Sequence, residues 1–116
     1  MKVRLESLGG TTLVIPEGRL DFGAAADFQA RVEQALAATS PAALIIDCAG
    51  LDYVSSAGLR VFLLAAKAAQ RAGLAFAMCS LTPAVREVFE LSGFSRVIAV
   101  HADRATALAQ APHRPA

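Results

Sequence analysis

The sequence is short of the features that announce a partner or a chemistry. Charge of one sign is lacking: 11 basic and 10 acidic residues are dispersed over 116 positions and leave a formal net charge of +1. So balanced a chain offers no electrostatic footprint for nucleic acid or an anionic membrane. Long apolar runs are lacking too. The longest stretches without a charged residue, Gln34 to Ile46 and Ala72 to Val85, are too short to span a bilayer and carry Ser, Thr, Pro or Gly. The first residues, Met1 to Glu6, alternate polar and apolar and have no apolar core of a secretory signal, so a cytoplasmic protein is expected. Cysteine is limited to Cys48 and Cys79, each following a predicted strand. In a reducing compartment such residues are small buried side chains and not a bridge.

The residues that carry catalysis are equally sparse. Gly18 to Gly23 has the glycine spacing of a phosphate loop, but Ala24 and Ala25 stand where Lys and Ser/Thr would grip nucleotide and metal. Val54 to Gly58 resembles a nucleophile elbow around Ser56, yet β-branched Val54 replaces its first glycine and disfavours the strained turn. The histidines are His101, after the last predicted strand, and His113, in the C-terminal tail, so a triad would need His101 to reach across the fold. No His/Cys/Asp cluster has metal-ligand spacing, and the glycines show no dinucleotide fingerprint. These absences predict a chain without enzymatic activity, cofactor or metal.

What is present is apolar material, 55% of the residues, enough for one domain with a real core. Residues 2–8 alternate, Gly9-Gly10 interrupts, and Thr12 to Ile15 resumes in β-rich residues, which predicts a hairpin-like strand pair. Pro16-Glu-Gly18 marks a bend or strand edge. From Gly23 to about Ala38 the pattern turns helical, with Phe28, Val32 and Leu36 at four-residue spacing, and Ser40-Pro41 stops it. Ala43 to Ile46 is a continuous apolar run of the kind covered on both faces of a sheet, hence a central strand. After a connection through Gly50, Ser56 to about Ala72 is rich in Ala and Leu and too long for a strand, and Gly73 ends it.

Leu74 to Met78 supplies another strand. Thr82-Pro83 gives an N-cap with proline at the first helical position of a third helix, which runs to about Leu91. Arg96 to Val100 is a last strand, Asp103 caps a short helix through Leu108, and the proline-containing tail from Ala111 has almost nothing to bury. The order implies an α/β domain with a mixed, mostly parallel sheet, an initial antiparallel pair and crossover helices.

Two adjacent serines, Ser55 and Ser56, precede the second helix. One serine there is expected on structural grounds, since its hydroxyl caps an unpaired N–H of the first turn, worth about 1 kcal/mol. Stepping by three and four from Ser56, one helical line carries Arg60, Leu63 or Leu64, Lys67 and Arg71, while Leu59, Val61, Phe62, Ala65, Ala66, Ala69 and Ala72 cover the rest. Ser56 therefore begins the exposed line. The leucine within it suggests a contact surface, although a single exposed leucine is also ordinary.

The stretch "LIIDCAGLDYVSSAGLRVFLLAAKAA", with "GRLDFGAAADFQARV" before it and "LTPAVREVFELSGFSRVIAV" after it, resembles the STAS domain of bacterial anti-sigma-factor antagonists. Its most specific part is Asp-x-x-x-Leu-Asp-x-x-Ser-Ser-x-Gly-Leu over residues 47–59, and the likeness extends to about Leu108. The resemblance implies a STAS domain over residues 1–110 followed by a flexible tail, 111–116. It also implies a partner switch: unmodified, the protein binds an anti-sigma factor that is also a serine kinase; phosphorylation releases it; a PP2C-type phosphatase reverses the step.

Carried onto this sequence, the phosphorylated residue is Ser56, with Ser55 the fallback. Many relatives read Asp-Ser-Ser/Thr-Gly-Leu-Gly. Aligned on Gly58-Leu59, this chain places Ser55 at the aspartate, Ser56 at the first hydroxyl and Ala57 at the second, so the assignment follows members modified at the first position. Asp21, after "GRL", matches an acidic residue expected near the serine. The implied partner-binding surface is Asp21, Asp52, Ser55, Ser56, Arg60, Leu63 and Leu64. A monomer is expected, with a weak dimer as the alternative, since the apolar content can feed either a core or a dimer surface. A second implied role keeps the fold without the switch, as an accessory subunit of a lipid-transport ATPase.

Overall fold

Gly9 and Gly10, with φ of 56° and 86°, make the two-residue turn between β1 (Lys2–Leu8) and β2 (Thr11–Leu20). Both central residues of such a turn need positive φ, which glycine adopts without a steric penalty. The pair is antiparallel, from Lys2 opposite Glu17 to Leu8 opposite Thr11. A computed structural model describes residues 1–37 and 42–111 of the chain. The remaining elements are α1 (Phe22–Ala37), β3 (Ala43–Asp47), β4 (Leu51–Val54), α2 (Ser56–Arg71), β5 (Ala75–Cys79), α3 (Pro83–Leu91), β6 (Ala99–His101) and α4 (Arg104–Gln110). The stop at Ser40-Pro41 and the tail beyond Ala111 lie outside the described residues.

The main sheet runs β1-β2-β3-β5-β6, parallel after the first pair. β3, buried at all five positions, is its middle strand, as its unbroken apolar run predicts. Alternation along the strands sorts side chains to two faces. Val14, Leu44, Ile46 and Met78 meet α1, α2 and α3 in the larger core, where the Phe62 ring lies between Phe28 (5.9 Å, edge-on) and Phe89 (6.5 Å). Leu13, Ile15, Ile45 and Cys79 face the other way, onto Ala107 of α4.

Five local expectations change. β2 does not end at Pro16 but continues to Leu20. Its ladder to β3 stops at Val14 and its ladder to β4 begins at Gly18, so the proline falls where neither parallel neighbour needs its missing N–H. The stretch read as a connection contains β4, which pairs with the far half of β2. Only its two ends, Leu51 and Val54, are buried, so its four residues lack the apolar run that marked β3. β5 is shifted by one residue, placing Cys79 in the strand.

The last strand is Ala99–His101 rather than Arg96–Val100. Gly93 takes φ of 81°, Phe94–Arg96 form a 3₁₀ turn, and the N–H groups of Val97 and Ile98 both donate to the Phe94 carbonyl, at 3.0 and 2.9 Å. Those residues are spent on bringing the Phe94 ring against Phe89, at 6.0 Å. At α3, Thr82 and Pro83 occupy the expected cap and first-turn positions, but the threonine hydroxyl does not cap. It donates instead to the Leu51 carbonyl, 3.1 Å away, and ties α3 to β4.

Candidate functional site

The two serines differ in what their hydroxyls do. Ser55 holds extended backbone (φ −86°, ψ 171°), and its Oγ accepts the Gly58 N–H at 3.1 Å, making it the N-cap of α2. Its own N–H donates to the Leu20 carbonyl at 2.8 Å, fixing the start of α2 beside the end of β2. Ser55 is half-buried; Ser56, the first residue of the helix, is exposed. Gly58 sets how closely this turn approaches the sheet. A Cβ there would stand 2.6 Å from Leu20 Cγ and 2.9 Å from Val54 Cγ2, inside any tolerable contact.

One residue separates β2 from α1, and it is Asp21, whose Oδ1 accepts the Ala24 N–H at 2.9 Å. Two helices therefore begin side by side, each capped by the residue that precedes it. Between them runs a groove of about 260 Å³ whose lining includes Phe22, Ala57, Arg60 and Leu64. Phe22 is 83% exposed. Nothing in the helical spacing flagged it, because it lies off the Phe28–Val32 line that faces the core. Its one visible signal is position: an aromatic directly after a capping aspartate.

The structure gathers Asp21, Ser55, Ser56, Arg60 and Leu64 around this double helix start. Leu63 lies elsewhere, on the other flank of α2, in a depression shared with Lys67, Phe76 and Val97. Asp52 is exposed on β4, beside Tyr53, over whose ring the Arg19 guanidinium sits at 4.2 Å. Asp47, the first residue of the Asp-x-x-x-Leu-Asp stretch, is only 4% exposed. Its Oδ2 accepts Arg104 Nε at 2.7 Å and its Oδ1 accepts the Ala49 N–H at 3.1 Å, so its charge is spent on holding α4. That hydrogen bond, with the neighbouring Asp47 and Glu6 charges, pushes the Arg104 pKa up.

The geometry also bears on the enzymatic readings. Gly18 lies within β2 and Gly23 in the first turn of α1, leaving no loop to wrap a phosphate. His101 ends β6, three strand spacings from β2, on the order of 14 Å across the sheet. His113 lies outside the described residues. Both cysteines are free and buried. Burial pushes the Cys48 thiol well up and raises Cys79 from 9.0 to about 11, so neither is a thiolate near neutrality. Among the described residues, no group of three or more His, Cys, Asp or Glu is placed to hold a metal, and no helix is long and apolar enough to cross a membrane.

Comparison with known proteins agrees with this architecture. BtrV of Bordetella bronchiseptica, a candidate anti-sigma factor antagonist, is 35% identical over 109 residues, covering 94% of this chain and 93% of that one. The anti-sigma factor antagonist SpoIIAA in its unphosphorylated form superposes with a TM-score of 0.78 at 21% identity, over 92% of this chain and 93% of that one. The phosphorylated form of SpoIIAA, from Bacillus, gives 0.72 at 20% identity, over 94% and 98%. The family model of the STAS domain matches residues 2–107, from the first strand of the hairpin into the helix held by Asp47. With the sheet, the helix order and the serine turn all inside that span, the chain belongs to the STAS domain family.

Proposed function

We propose that this protein is an anti-sigma-factor antagonist that works as a partner switch. Unmodified, it binds an anti-sigma factor that is also a serine kinase; phosphorylation of Ser56 releases it, and a PP2C-type phosphatase restores it, all in the cytoplasm. One observation carries the assignment of the serine. The Ser55 hydroxyl is committed to the cap at 3.1 Å from the Gly58 nitrogen, whereas Ser56 is exposed one residue later.

The energetics favour a change of partner over a change of fold. A phosphate adds about 1.5–2 negative charges beside the positive end of α2, where an anion gains about 0.3–1 kcal/mol. Asp21 and Asp52 oppose it, so the two effects partly cancel in the free protein. Within a packed interface the same dianion loses its hydration, at a cost of several kcal/mol unless a cation meets it. Each 1.4 kcal/mol is about tenfold in affinity, so the interface opens while the domain stands.

The test is incubation with ATP and a serine kinase of the anti-sigma class encoded beside this gene, followed by mass spectrometry of the α2 peptide. Phosphate on Ser56 is expected. Ser56→Asp is expected to lose binding to that kinase while its Tm stays within about 5 °C. Phosphate on Ser55, or undiminished binding by Ser56→Asp, overturns the assignment.

A further inference from the structure

The groove between α1 and α2 combines three features. Phe22, on its rim, is 83% exposed. Its lining is otherwise small or aliphatic apart from Gln29, with Arg60 the only charged residue. Arg60 is exposed and takes part in none of the ion pairs among the described residues, which use Arg4, Arg86 and Arg104. An apolar depression with one unpaired cation at its edge is complementary to an apolar side chain with a carboxylate beside it. Arg60 is also four residues after Ser56 on α2, which brings their Cβ atoms to about 5–6 Å on the helix surface. An arginine so placed can turn to the groove or to a phosphate on Ser56, but a single guanidinium cannot serve both.

We propose that Arg60 is a two-position contact. In the unmodified protein it anchors, with Phe22, an acidic-apolar segment of the protein partner in the α1–α2 groove; when Ser56 carries phosphate, Arg60 pairs with it and the groove loses its cation. Phosphorylation thereby removes an attraction as well as adding a repulsion. The biological use of this contact rests on the partner-switch reading, but its physics resides in this chain alone. Asp21, which caps the neighbouring α1, acts against the phosphate whichever way Arg60 turns.

Two measurements on the isolated protein decide it. With phosphoserine installed genetically at position 56, a phosphorus NMR titration is expected to give a second phosphate pKa lower by about half a unit or more than in the same protein carrying Arg60→Gln. Equal values overturn the phosphate position.

For the groove, phenylpropionate and phenylpropanol are titrated into isotopically labelled unmodified protein. The acid is expected to shift the signals of Phe22, Ala57, Arg60 and Leu64 saturably, with a Kd on the order of millimolar. It should bind roughly fivefold more tightly than the alcohol, and that advantage should vanish in Arg60→Gln and in the phosphoserine protein. Phe22→Ala, at an exposed position, should fold and weaken both probes. Equal binding of acid and alcohol, shifts elsewhere on the surface, or dilution-dependent shifts of the groove signals without probe, which would mean that a second copy fills it, each overturn the groove position. None of these readouts needs a kinase, so the contact and the partner-switch reading fail separately.

Discussion

The two faces of the sheet are built on different physics. One is covered by α1, α2 and α3, and its core includes three phenylalanine rings, Phe28, Phe62 and Phe89, in a connected row. The other is covered by α4, seven residues long, which offers one fully buried side chain, Ala107, and is held by Arg104 on the buried carboxylate of Asp47. A large apolar interface tolerates the exchange of its outer residues; a short helix on a polar latch does not. Ser56 sits at the edge of the first face, where α2 rests on Leu20 and Val54 through Gly58. Its surface can therefore change charge without loosening what lies beneath.

The sharpest way to break this contrast is to remove the middle ring. Phe62→Ala, at a fully buried site, is expected to cost about 3–5 kcal/mol in urea unfolding. A loss below 1 kcal/mol would mean that the aromatic row is not what holds the three helices. Next in size is alkaline pH, which acts on both faces because Cys48 packs in the larger core and Cys79 against α4. A thiol whose folded pKa is raised contributes its full stability below its unfolded value and loses it as pH climbs through the folded one. For Cys79 that window runs from 9.0 to about 11. That rise corresponds to about 2–3 kcal/mol by the end of the window, and Cys79→Ala should flatten the fall.

Arg104→Ala comes third. It strands the Asp47 carboxylate, whose side chain is 6% exposed, but the arginine itself is 35% exposed and water can partly replace it. About 1–2 kcal/mol is expected, below the cost of breaking a fully enclosed pair. Adding Asp47→Asn should recover part of the loss, because the damage is a stranded charge. If the double variant is as unstable as the single one, α4 is held by packing and the contrast between the faces is smaller than drawn.

How far the sequence showed this in advance depends on whether a feature is local or pairwise. The central strand at Ala43–Ile46 was legible as an unbroken apolar run, the α1 core line of Phe28 and Val32 as a repeated spacing, and the second helix from Ser56 as an Ala- and Leu-rich stretch too long for a strand. β4 was not, since four residues with two buried ends carry no period of their own. The shortened last strand was hidden because a glycine turn and an aromatic contact consumed residues that read as β-rich. The Asp47–Arg104 pair joins positions 57 apart in the chain, and no local pattern links them. The serine turn was legible as a cap and as a family pattern. What the sequence alone left open was which hydroxyl the cap would use, because that depends on the backbone angles at Ser55.

That choice gives the smallest and most discriminating effect. Ser55→Ala removes the oxygen that accepts the Gly58 N–H, leaving a donor of the first turn unpaired beside buried Leu59, and should cost about 1 kcal/mol. Ser56→Ala replaces an exposed first-turn residue with a better helix former and should stay within about 0.5 kcal/mol of the parent. The order of the two losses is the informative quantity, since both variants delete the same atom from adjacent residues. If Ser56→Ala proved the more costly, the outer hydroxyl would be the one holding the helix. A kinase would then have to break the cap to modify it, and phosphorylation would act on the fold as well as on the surface.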